Sequence, residues 1–213
     1  MIHRLNRNEM AQRLARDIAP GSYVNIGIGM PELVAGYLDP EQEIILQSEN
    51  GILGMGPLAE PGQEDTELVN AGKKPVTLLT GGAFFDHLYS FAMMRGGHLD
   101  LCIMGGMQVS EQGDLANWNL GRPGEPPAVG GAMDLAVGAK RVFILMEHNA
   151  KDGASKLVKQ CTLPLTGLGV VSRIYTDLAV LEVTPQGLKV IAMNDGLSFD
   201  ELQSQTEAQL HMT

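Results

Sequence analysis

Five short apolar runs recur along this chain, and each stops at glycine or at polar turn residues. "YVNI" runs into "GIG", "EIILQ" into "SENG", "VTLLT" into "GGA", "LDLCIM" into "GG" and "RVFILM" into "EHNAKDG". Runs this uniformly apolar lack the in–out alternation of a sheet with one wet face. They fit strands buried on both faces, as in a parallel sheet covered by helices. Helix-like stretches lie between several of them: "PELVAGYL", with Pro31 at a good first-turn position, "FFDHLYSFAMMR" and "GAMDLAVGA". Upstream, Met10, Leu14 and Ile18, with Ala11 and Ala15 beside them, recur at helical spacing, with Asn8 as the starting cap and Pro20-Gly21 as the stop. Near the C-terminus, two alternating runs around Pro185-Gln186-Gly187 predict a β-hairpin, and "SFDELQSQTEAQL" a final polar helix. "PLAEPGQEDTEL" and "GRPGEPPAVGG" are dense in proline and glycine and read as loops. The expectation is an α/β fold: one domain over 1–213, with an open, mostly parallel sheet, flanking helices and a C-terminal hairpin. In such sheets ligands sit beyond the carboxyl ends of the strands, where these glycine turns cluster.

A length of 213 residues is enough to bury a core. A net charge of −10, with no basic run, argues against nucleic acid or an anionic membrane as partner. Aromatic residues, at 5%, are too few for base-stacking platforms. Cys102 and Cys161 are far apart and read as reduced thiols. The N-terminus has no apolar signal core, and no run approaches membrane-spanning length. The expected location is the cytoplasm.

Several motifs fail on inspection. "GIGMPE" follows a strand, but Glu32 stands where a dinucleotide fingerprint needs its third glycine. Gly27 and Gly29 still let a ligand approach the backbone closely. "NAGKKP" lacks the frame of a phosphate loop, and the five histidines have no metal-ligand spacing. Ser48 lacks the glycine frame of a nucleophile elbow. There remains "EIILQSENGILGMGP", which sets one carboxylate, Glu49, between two hydrophobic stretches. By residue type alone a solvated turn carboxylate is the ordinary reading. The context argues the other way: Ser48 and Asn50 can orient the group, Gly51 permits a tight turn, and apolar surroundings would strip a carboxylate of water and sharpen it as a nucleophile.

"LQSENGILGMGP" resembles the signature of the beta subunits of class I (3-oxoacid) CoA-transferases. The likeness continues in order through "VNIGIGMP", "LVNAGKKPVTLLTGGAFFD", "SFAMMRGGHLDLCIMGGMQVS", "GDLANW", "VGGAMDLAVGAKRVF", "MEHNAKDG", "KLVKQCTLPLTG" and "RIYTDLAVLEVT". The resemblance implies that Glu49 is the nucleophile and carries CoA as a glutamyl thioester. It implies oxyanion or CoA contacts at Gly130-Gly131, with which Asn50 and Gly51 are grouped; Gly27 and Gly29, from the residues themselves, are the candidate substrate loop. It also implies no metal or prosthetic group, the CoA thioester being a substrate. The partner would be a separate alpha subunit, in an assembly of two alpha and two beta chains or similar, and this chain alone would be inactive. "GRPGEPPAVGGAMDL" replaces the Gly-Lys-Met-Val-x-Gly-Met segment usual in acetoacetate enzymes, and with "SRIYTDLAVLEVTPQGLKV" it is more similar to the succinyl-CoA:3-oxoadipate group. Acetoacetate or acetate transfer stays open. So do a non-catalytic acyl-CoA-binding regulator on the same scaffold and a sugar-phosphate isomerase, although no clear basic cluster for phosphate is visible in the sequence.

Overall fold

The computed structural model describes residues 3–121, 124 and 129–212. Its centre is a ten-stranded sheet. In chain order the strands are β1 (Tyr23–Ile26), β2 (Ile45–Ser48), β3 (Ile52–Leu58), β4 (Val76–Phe84), β5 (Leu101–Met104), β6 (Gln108–Ser110), β7 (Leu115–Ala116), β8 (Val142–Leu145), β9 (Leu157–Val158), β10 (Arg173–Tyr175), β11 (Ala179–Thr184), β12 (Gly187–Met193) and β13 (Leu210–His211). The helices are α1 (Arg7–Ala15), α2 (His87–Arg95), α3 (Ala132–Gly138) and α4 (Phe199–Ser204). Spatial order in the large sheet is β13-β12-β11-β10-β8-β5-β1-β2-β3-β4; β7, β6 and β9 form a small second sheet. The five central strands, β2, β1, β5, β8 and β10, are mutually parallel. Antiparallel hairpin pairs extend both edges.

The apolar runs are buried on both faces, and the period of two sorts them. Leu101, Ile103, Phe143, Leu145 and Tyr175 join one core with Met10, Leu14 and Val34. Cys102, Met104, Val142, Ile144 and Ile174 join the other with Met94, Leu135 and Leu202. Thus α1 covers one face, and α2, α3 and α4 cover the other. The hairpin expected around Pro185-Gln186-Gly187 is the β11–β12 pair.

Four local expectations change. The cap of α1 is Asn6, not Asn8: its side chain accepts from the N–H groups of Asn8 and Glu9, and Glu9 returns to the Asn6 N–H at 2.7 Å. "PELVAGYL" is a 3-10 segment, Met30–Tyr37, whose buried residues Pro31 and Val34 are three apart, the spacing that three residues per turn favours. The "GGA" after "VTLLT" does not end a strand; β4 continues to Phe84, pairing Ala83 with Leu53. Gly54 and Gly82 face each other there, and a Cβ on Gly54 would lie 2.9 Å from the Gly82 Cα. The last helix stops at Ser204, because the Gln203 amide turns to the carbonyls of Thr206 and Ala208 and the chain then adds β13 to the sheet edge. Of the loop expected at 121–131, residues 122, 123 and 125–128 lie outside the described residues.

Candidate active site

Sequence order and space order diverge at β1. The chain passes from β1 to β2 on one side and returns to β5 on the other. Connections therefore part at the carboxyl end of β1, the kind of place where open α/β sheets bind ligands. A cavity of about 450 Å³ opens there, walled by residues that include Asn25, Gly27, Met104, Gly105, Trp118 and Gly131, and Glu49 stands in it.

The turn that presents Glu49 is tightly specified. Gly51 has φ 112°, and a Cβ on it would collide with the Phe85 carbonyl oxygen, so only glycine fits. The Gly51 N–H donates to the Ser48 carbonyl at 3.0 Å, and the Phe85 N–H donates to the Gly51 carbonyl at 3.0 Å. Ser48 and Asn50 do not hold the Glu49 carboxylate. The Ser48 hydroxyl accepts from the Ala71 N–H at 3.1 Å, and the Asn50 amide donates to the Val69 carbonyl at 2.7 Å. Both brace the 69–71 loop behind the turn, which leaves the carboxylate without a hydrogen bond or ion pair among the described residues.

Half-buried and unpaired, Glu49 has its pKa raised above the ordinary value, chiefly by loss of hydration. The Asp134 carboxylate pushes in the same direction; a His87 imidazolium pulls back. Asp134 is itself held by Arg95 at 2.6 Å, and His87 lies against the Phe91 ring, centroids 4.5 Å apart.

Gly131, just ahead of α3, is packed against Glu49: an added Cβ would run into Glu49 Oε2 and lie 3.2 Å from Phe91. Gly130 (φ 52°) lines the same cavity and is open to solvent. Gly27 also lines it, its N–H donating to the Ile103 carbonyl at 2.8 Å. Gly29, Asn50 and Gly51 stand outside the lining; Gly29 starts the 3-10 segment and donates to Glu32 at 3.1 Å.

Sequence reasoning missed the polar chain beneath Glu49. The Asn25 amide donates to Gln47 Oε1 at 2.6 Å, Gln47 Nε2 donates to the Ser90 hydroxyl at 2.8 Å, and Cys102 Sγ points to Asn25 Oδ1 at 3.9 Å. All four residues are buried. The signal was one asparagine in "YVNI" and one glutamine in "EIILQ", polar groups inside strands with no wet face, which must find partners. Burial raises the Cys102 thiol far above its ordinary pKa, and the Cys161 thiol to about 11, so neither competes as a nucleophile. Among the described residues no group of three or more His, Cys, Asp or Glu could hold a metal, and no helix is long and apolar enough to cross a membrane.

Residues 7–205 match the family model described as coenzyme A transferase. The chain is 64% identical over 200 residues to a 3-oxoadipate CoA-transferase subunit from Pseudomonas putida, covering 94% of this chain and 93% of that one. It is 56% identical over 208 residues to the corresponding 3-oxoadipate CoA-transferase subunit from Acinetobacter baylyi, covering 98% and 96%. Among solved structures, an acyl-CoA transferase apoenzyme from Escherichia coli O157:H7 shares the fold with a TM-score of 0.75 at 17% identity. That match covers 98% of this chain and 42% of the longer one.

Proposed function

The chain belongs to the coenzyme A transferase family, and on that premise we propose that it is the beta-type subunit of an enzyme moving CoA from succinyl-CoA to a 3-oxo acid, with 3-oxoadipate as the preferred acceptor. A separate alpha-type subunit completes the site. The observation that carries this reading is the Glu49 carboxylate: without a hydrogen bond or ion pair among the described residues, partly stripped of water, and set at the carboxyl end of β2 in a cavity with glycine walls.

Glu49 attacks the thioester carbonyl carbon of succinyl-CoA. The C–S bond breaks, leaving a mixed anhydride and the CoA thiolate. The thiolate adds to the Glu49 carbonyl of the anhydride and expels succinate, so CoA is held as a thioester of Glu49. The carboxylate of the 3-oxo acid attacks that thioester and frees the thiolate again. The thiolate then adds to the acyl carbonyl of the second anhydride, giving 3-oxoacyl-CoA and the original carboxylate. Each step exchanges one activated acyl group for another, so no proton carrier, metal or prosthetic group takes part. Both Glu49 adducts are lost to water if it enters, which is the use of a cavity walled by Ile26, Met104, Met107 and Leu135. The tight space over Glu49 left by Gly131 suits a developing oxyanion, with backbone N–H groups of Gly130-Gly131 as donors. The 3-oxoadipate preference rests on the relatives at 64% and 56% identity.

The test is the adduct. The enzyme co-expressed with its alpha-type partner, given succinyl-CoA without acceptor, should gain a CoA thioester that intact-mass spectrometry detects, borohydride removes and peptide mapping assigns to Glu49. Glu49→Gln should abolish it and cut kcat by about a thousandfold or more; Glu49→Asp, pulling the carboxylate back by about 1 Å, should cost on the order of a hundredfold. An adduct on another residue, or near-normal turnover in Glu49→Gln, would sink the mechanism. A higher kcat/KM for acetoacetate than for 3-oxoadipate would reassign the acceptor alone.

A further inference from the structure

A second cleft, of about 800 Å³, also lies at the carboxyl ends of the parallel strands, beyond β8. Met107 lines both it and the Glu49 cavity. Its charged lining is Arg4, Arg7, Lys151 and Lys156 against Glu147 and Asp177. The two carboxylates are taken: Arg4 holds Asp177 at 2.6 Å, and Arg7 holds Glu147 at 2.7 Å. The carboxylate of Asp152, next to Lys151 in sequence but outside the lining, accepts from the Ala154 N–H at 3.1 Å. Lys151 and Lys156 are left with no hydrogen bond or ion pair to their ammonium groups among the described residues. On a chain of net charge −10 the lining carries a local excess of two positive charges in a concave site, and of one when the neighbouring Asp152 is counted.

Lys156 is the telling member. It is half-buried, and burial lowers its pKa even though Glu147 and Asp177 pull the other way. An ammonium that has lost water without gaining an acceptor is a cost that a ligand anion would offset. Lys156 and the exposed Lys151 together match a doubly charged anion, and lysine binds phosphate as a point charge.

We propose that this cleft binds a phosphate-bearing ligand, a diphosphate or phosphate monoester, whose charge is met by Lys156 and Lys151. The site stands on this geometry; only the ligand's source rests on the acyl-CoA reading. From β2 to β8 is three strand spacings, or about 14 Å at ~4.8 Å each. That separation is too long for a short dicarboxylic acid on Glu49 and suits the nucleotide handle of a long carrier; a free phosphate metabolite is the other source.

Inorganic pyrophosphate titrated into the full chain by calorimetry tests the site without requiring any transferase activity. It should bind, Lys156→Gln combined with Lys151→Gln should weaken it about tenfold or more, and Lys156→Arg, which keeps the charge, should stay close to the parent. Thermal melts check that each variant folds. Glu49→Gln should leave binding unchanged, so failure of the transferase mechanism and failure of this site are told apart. In the assembled enzyme, competition between pyrophosphate and acyl-CoA assigns the ligand to the carrier's handle; non-competitive inhibition assigns it to a separate phosphate. No binding by the parent at millimolar pyrophosphate, or equal affinity in the double variant, overturns the proposal.

Discussion

Gly131 has room for no side chain because Glu49 already occupies the place a Cβ would take. Its own backbone, φ −85° and ψ 6°, is open to any residue. Gly131→Ala should therefore fold normally and still lose about a hundredfold in kcat by displacing Glu49; thermal melts beside steady-state rates check it. The electrostatics give a second handle. In the proposed mechanism Glu49 must be ionised to attack, and burial raises its pKa, so the acid limb of kcat/KM should lie above the ordinary carboxylate value of 4.5. Asp134→Asn removes a charge that raises that pKa and should move the limb to lower pH; His87→Gln removes the opposing cation and should move it up. An unmoved limb in both variants would assign it to another group. The raised folded pKa has a stability side: below the unfolded pKa the protonated group costs nothing, and as pH rises through the folded pKa an ill-hydrated charge appears. Glu49 itself was legible in the sequence, being charged between two apolar runs. Gly131 was named only through the family resemblance, and its neighbours Phe91 and Asp134 not at all, because they lie 42 or more positions away and only the sheet's reversal at β1 brings them together.

The elements that carry this site are fitted to each other at backbone contact. Gly138 at the end of α3 meets α2 so closely that a Cβ would collide with the Met94 carbonyl oxygen. Gly138→Ala should push the two helices apart and destabilise by roughly 1–3 kcal/mol, read from denaturant melts. It should also lower turnover, since α3 follows Gly131 and α2 carries Phe91 and His87. The buried strands were the legible elements, because an apolar run with no alternation has few alternatives. Helix type was less so: "PELVAGYL" has an apolar pattern that an α-helix and a 3-10 turn share, and tertiary contacts at Pro31 and Val34 decide. The continuation of β4 through Gly81-Gly82 depends on Gly54 of the neighbouring strand, and no local pattern reports that.

Across the whole molecule, His148 ties three regions together. Its fully buried ring sits between the Thr176 hydroxyl at 3.0 Å and the Thr206 hydroxyl at 2.8 Å, joining the end of β8, the β10–β11 corner and the chain after α4. Burial pushes its pKa down from 6.5 to about 4, so it stays neutral in the fold while the unfolded chain takes up a proton. Its contribution is present above pH 6.5 and is lost as pH falls through about 4, up to about 3 kcal/mol. His148→Gln should flatten the stability slope across that window; an unchanged slope would point to carboxylates instead. The reversal at β1 also has a temporal side. β1 needs a neighbour on each flank, and Val24 pairs with Leu46 on one side but with Leu101, 77 residues further on, at the other. At about 5–20 residues per second, a ribosome leaves that flank without its partner for about 4–15 s after β1 emerges. For those seconds the strand that will floor the Glu49 cavity is itself an open edge, and its protection depends on chaperones and on the pace of translation.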